Sequence, residues 1–87
     1  MDLSAQQIMK AAICAVILVK EKTPAELRVM QQQLANEELR KQFAADLVPQ
    51  LAQLHRDTPD ATFPKFVAEI VERMFANINL RLGAPVE

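Results

Sequence analysis

The chain has 87 residues, enough for one small domain. Ten Lys and Arg face eleven Asp and Glu, a net charge of −1, which argues against a protein that binds nucleic acid mainly through phosphates. Apolar residues make up 51% of the chain, too many for a disordered polypeptide. One cysteine, Cys14, rules out an internal disulfide and suits a reducing, intracellular setting, cytoplasmic or nuclear. One glycine, Gly83, excludes the glycine-rich loops that cradle phosphates. Ala, Leu, Gln, Glu, Lys, Arg and Met are plentiful, so the expected fold class is all-α.

The opening "MDLSAQQIMK" is acidic and then neutral, unlike the basic start of a secretory signal. Within it, "SAQQ" puts Gln7 three residues after Ser4, the spacing of a capping box. The first helix is therefore expected over residues 4–21. Its middle, "AAICAVILVK", runs nine residues from Ala11 to Val19 with no polar group beyond a thiol. That run is well short of the roughly 20 residues that span a bilayer, and lysines close it on both sides. A buried strand is the rival reading, given its β-branched residues, but flanking Ala and Gln and the lack of turn residues favour a helix.

"TPAE" marks the next start, with Thr23 as N-cap, Pro24 at the first helical position and Glu26 at the third. A second helix is expected over 24–35, its apolar stripe being Leu27, Met30 and Leu34. The stripe fails after that, and Asn36 followed by Glu37 and Glu38 signals a new N-terminus or sharp bend, one long continuous helix being the alternative. The third helix is expected over 37–56, with Leu39, Phe43, Leu47, Leu51 and Leu54 in register. Pro49 interrupts its hydrogen bonding without breaking the stripe, which predicts a kink there.

"RDTPDATFP" has the composition of a loop. The fourth helix follows, capped by Thr62 or entered at Pro64, and is expected over 64–82. Phe66, Val67, Ile70, Val71, Met74, Phe75 and Ile78 form its apolar face, and Glu69 with Arg73 makes an i,i+4 pair. "NINLRLG" alternates as a strand does, but it also reads as the last turns of this helix stopped at Gly83; the helix is preferred. The whole is a single domain, residues 1–87, built as a four-helix bundle with short connections.

No catalytic set emerges. Cys14 has no His or Cys neighbour in sequence, and the only histidine, His55, follows the leucine stripe of the third helix. One His and one Cys cannot make a His/Cys zinc site. Ser4, the only serine, already has a capping role, and the acids Asp46, Asp57, Asp60, Glu69 and Glu72 show no spacing that singles out a pair. No enzyme activity, cofactor or metal is expected.

The first helix is the informative feature. Projected at 100° per residue, Ile8, Met9, Ile13, Val16, Ile17 and Val19 cover about half its circumference. Leu18 and Cys14 extend the apolar surface, and Ala11, Ala12 and Ala15 fill most of the rest. So small a bundle has too little interior to enclose such a helix easily. Either this helix is the central one, or a partner covers its outer side. Met9, Ile13, Val16, Ile17 and Leu18 are the candidate interface residues, and the partner is expected to be a helix of a larger protein or a second copy. A non-catalytic adaptor is the leading reading, and a helical dimeric DNA-binding regulator is a rival, though no basic recognition helix supports it.

"MKAAI" (residues 9–13), "LRKQF" (39–43) and "TFPKFVAEI" (62–70) resemble, in order and rough spacing, segments of the small helical transcription and mRNA-export factors of the enhancer-of-yellow type. Where that family carries a Gly-Trp pair before its third helix, this chain has Glu38-Leu39. The resemblance implies a nuclear adaptor whose helices grip a long helix of a scaffold partner, within a transcription coactivator or an export complex.

Overall fold

The computed structural model describes residues 3–51 and 62–83. They form four helices: α1 (Ala5–Val19), α2 (Pro24–Leu34), α3 (Glu37–Leu47) and α4 (Phe63–Leu82). The all-α expectation holds, and each helix starts within a residue of its expected N-terminus.

The caps are explicit. Ser4 Oγ accepts from Gln7 N–H at 3.2 Å, and Gln7 Oε1 accepts from Ser4 N–H at 2.8 Å. Thr23 and Glu26 repeat this exchange at 3.2 and 3.0 Å. Asn36 Oδ1 accepts from Glu38 N–H at 2.7 Å, so α2 and α3 are separate helices rather than one. Each cap satisfies amide donors that the helix itself leaves open, worth about 1 kcal/mol apiece. The α4 start differs. Thr62 is its N-cap residue but makes no side-chain capping bond, and its side chain is buried instead. Phe63 precedes Pro64 inside the helix and is buried against the core with Phe66, their ring centroids 6.3 Å apart.

The third helix is shorter than expected. Its α-helical part stops at Leu47, and residues 49–51 form a 3₁₀ turn, with Leu51 N–H donating to Val48 C=O at 3.2 Å. Pro49 has no N–H to continue the α ladder, so the change at Pro49 is one of helix type. The predicted remainder, residues 52–56, and with it Leu54 and His55, lies outside the described residues.

At the other end, α4 runs unbroken to Leu82 and closes on Gly83, whose φ of 74° is the left-handed conformation only glycine adopts freely. "NINLRL" is thus helix, as preferred. Ile78 is fully buried and Leu80 is 80% exposed, which is the helical phase of the rest of α4 rather than a strand alternation.

The central element is α4, and the other three helices pack against it. Its apolar face supplies Phe63, Phe66, Val67, Ile70, Val71, Met74 and Ile78, all buried, with Phe75 half-buried. Leu27 and Leu34 are the buried contribution of α2. In α3 only Ala44 is buried; Phe43 and Leu47 are half-buried, and Leu39 is exposed although it begins the predicted stripe. The alternative with the first helix at the centre does not hold.

Candidate interaction surface

Which side of α1 meets the bundle is the unexpected result. Its buried residues are Ala11, Ala15 and Val19. The larger side chains point the other way: Met9 is 65% exposed, Ile13 55%, Val16 48% and Ile17 63%. Shape complementarity explains the choice. The α4 face is already bulky with Phe, Ile and Met, so a near-flat alanine strip lets the two helices approach closely and pack at interior density. Turning the bulky side of α1 inward would hold the helices apart and leave voids between them.

Four of the five candidate residues, Met9, Ile13, Val16 and Ile17, therefore share one outer face. The fifth, Leu18, does not belong with them. It is half-buried and packs against the core, as does Cys14. Burial pushes the Cys14 thiol above its ordinary pKa, with Lys10 pulling weakly the other way, as suits a thiol used for packing.

The contacts at the two ends of α1 fix its direction. Near its start, Leu3 and Ile8 share a depression with Lys65, Ala68, Glu69 and Glu72 from the first half of α4. At its end, the Arg81 guanidinium from the last turn of α4 donates to the carbonyls of Val19 and, at 3.3 Å, Lys22. So α1 and α4 run parallel, with their carbonyl ends together. α1 has no basic residue in its own last turn, and Arg81 places a cation where both helix dipoles are negative. Along the flank of the pair, Ala12 and Val16 of α1 and Arg73, Ala76, Asn77 and Leu80 of α4 line a shallow groove. Leu80 is thus an addition to the surface that the sequence did not single out.

A second anchor holds the opposite side of the bundle. Arg40 of α3 donates through Nε to Glu72 of α4 at 2.9 Å and through a terminal nitrogen to the Leu34 and Ala35 carbonyls at 2.8 and 3.3 Å. Its guanidinium lies 5.0 Å from the centre of the Phe75 ring. One side chain thereby ties the end of α2 to α3 and α4. Gln31 donates to Asn79 at 2.7 Å, a further link between α2 and α4. These bonds fix α2 and α3 on one side of α4 and leave the outer face of α1 uncovered. Among the described residues, Val29 of α2 and Leu39 of α3 are the other exposed large apolar side chains besides these and Leu80.

Two of the acids considered for chemistry are engaged within their own helices. Asp46 accepts from Gln42 at 3.0 Å, and Glu69 pairs with Arg73 at 2.7 Å, the i,i+4 contact expected from sequence. Among the described residues, no group of three His, Cys, Asp or Glu side chains comes together as a metal site would require. Nor is any described helix long and apolar enough to cross a membrane. Asp57 and Asp60 lie outside the described residues. Comparison with protein-family models, curated proteins and solved structures gives no match.

Proposed function

We propose that this protein is a non-catalytic interaction subunit that docks a protein partner on the outer face of α1. The observation that carries the reading is the contiguous exposure of Met9, Ile13, Val16 and Ile17 on a helix whose opposite side is already packed. Isolated exposed apolar residues need no explanation, whereas a stripe of four at helical spacing is what a partner helix recognises. The position of these residues also favours recognition over packing. Burying them against α4 would require displacing alanines that fit it well.

The nuclear adaptor implied by the enhancer-of-yellow-type resemblance is a narrower version of the same proposal, with a long scaffold helix as the partner. Affinity capture with wild-type protein, Ile17→Glu and Leu39→Glu tests the broader one. A genuine partner is retained by wild type and by Leu39→Glu, whose substitution lies on another helix, and lost with Ile17→Glu while that variant keeps its helical circular dichroism. A captured set that is indifferent to Ile17→Glu refutes the proposal, as does unfolding of the Ile17→Glu chain.

A further inference from the structure

Charge narrows what can occupy the outer face of α1. From Ser4 to Lys20 the chain has no acidic residue, and its charges there are Lys10 and Lys20, although the whole chain carries −1. Both lysines are exposed. Projected at about 100° per residue, Lys10 falls beside Ile17 and Lys20 beside Ile13, so both belong to the outer side. The depression lined by Gln6, Met9, Lys10 and Ile13 has a cation and no carboxylate. Across the stripe, the groove shared with α4 is the same: Arg73 is its charged residue, beside Asn77. Glu69 bonds to the Nε of Arg73 and offsets part of its charge, but it lines a different depression, near Leu3 and Ile8. At the carbonyl end, Glu21 and Lys22 cancel and Arg81 adds a cation. The apolar stripe is thus bordered by positive charge on both edges and at one end.

Taking the outer face of α1 as a docking surface, we infer that its partner is an acidic amphipathic helix, seated antiparallel to α1 with Asp or Glu on both sides of an apolar stripe. A second copy of α1 is disfavoured, because it brings the same lysines to the same stripe. A bilayer is disfavoured by shape. The groove between α1 and α4 is lined by Arg73 and Asn77, which a third helix can reach and a flat lipid surface cannot. Direction follows from the dipoles. α1 and α4 end together at Arg81, so an antiparallel mate sets its N-terminus against Lys20, and acidic residues are most favourable in that first turn. Lys10 and Lys20 lie about 15 Å apart along the helix, so a partner helix of roughly three to four turns spans both. The apolar stripe supplies most of the affinity, and the cations select the partner.

Fluorescence anisotropy with two synthetic helical peptides provides the test. Both carry the same leucine stripe and blocked termini; one is flanked by Glu, the other by Lys. At low salt the wild-type chain should bind the Glu-flanked peptide at least about 10-fold more tightly, and high salt should erase most of that preference. Lys10→Glu combined with Lys20→Glu should remove the preference, and Ile17→Glu should abolish binding of both peptides. Equal affinity for the two peptides, or a preference that the lysine substitutions leave unchanged, overturns the inference; the docking face still stands if Ile17→Glu abolishes both. Binding that survives Ile17→Glu places the peptide elsewhere and also overturns it. Failure to bind either peptide sinks the acidic helix, and the docking reading then rests on the capture experiment alone. Two controls name the other occupants. Co-sedimentation with phosphatidylserine vesicles that Ile17→Glu abolishes makes the face a membrane contact, and a concentration-dependent dimer that Ile17→Glu abolishes gives it to a second copy; either result refutes the acidic helix.

Discussion

Exchanging bulk between the two sides of α1 tests the packing on which the surface depends. Ala15 is fully buried against α4, so Ala15→Leu forces an isopropyl group into filled space. Overpacking of this kind costs about 1–3 kcal/mol. Ile17→Ala is the counterpart. Ile17 keeps only about a third of its surface covered in the monomer, so truncation loses roughly 0.5–1 kcal/mol of burial. Alanine returns a few tenths through helix propensity, which leaves a net cost of roughly 0–0.5 kcal/mol. For a domain of this size 1 kcal/mol moves Tm by about 4–8 °C. Ala15→Leu should therefore lower Tm by at least about 4 °C and Ile17→Ala by less than about 4 °C. Thermal unfolding at low micromolar concentration measures both. If Ile17→Ala proves the costlier change and Ala15→Leu is tolerated, α1 is rotated the other way and the proposed surface is core.

Three further outcomes follow from individual contacts. Arg40→Ala should cost about 2–4 kcal/mol by denaturant unfolding, since it removes charged hydrogen bonds to the end of α2, the Glu72 pair and the Phe75 contact, whereas Glu72→Gln should cost no more than about 1 kcal/mol because that carboxylate is half exposed; equal losses would disprove the hub role of Arg40. The Glu26 carboxyl is held below the usual carboxylate range, first by the Thr23 backbone N–H and then by its hydroxyl. Its contribution to stability is present above the unfolded pKa of about 4.3 and lost as pH falls through the lower folded value; an NMR titration of Glu26 at or above the peptide value contradicts this. Cys14, with its raised thiol pKa, should react with iodoacetamide at pH 8 more slowly than glutathione and reach that rate only on unfolding, and equal rates in the native protein would mean the thiol is not packed as described.

The helix starts were legible because the signals for them are local. Ser4 with Gln7, Thr23 with Glu26, and Asn36 each satisfy backbone donors within three residues, and no tertiary contact is needed to find them. The α4 face was legible for a related reason, since its charged and apolar sides differ enough to give the helix a phase. α1 has no such phase. A helix apolar nearly all round does not say which side turns inward, and the decision rested on the shape of α4, some fifty residues further along. That is why Leu18 was grouped with the surface although it packs inward, and why Leu80, on a different helix, was not grouped with it at all. Phe63 escaped the predicted core because Pro64 suggested a helix starting one residue later. Pro49 announced a disturbance in the helix, but not that the chain would answer by tightening into a 3₁₀ turn.

The clamp between Arg81 and the end of α1 joins residues 62 positions apart. On a ribosome adding roughly 5–20 residues per second, α1 is complete about 3–12 s before the residue that holds its far end has been made. Throughout that interval its alanine side is as bare as its isoleucine side, and the nascent helix offers two apolar surfaces instead of one. Arrival of α4 removes the first and leaves the second. The order of synthesis thus turns an indiscriminately adhesive segment into a surface with a single face, and the step completes when the last turn of α4 forms.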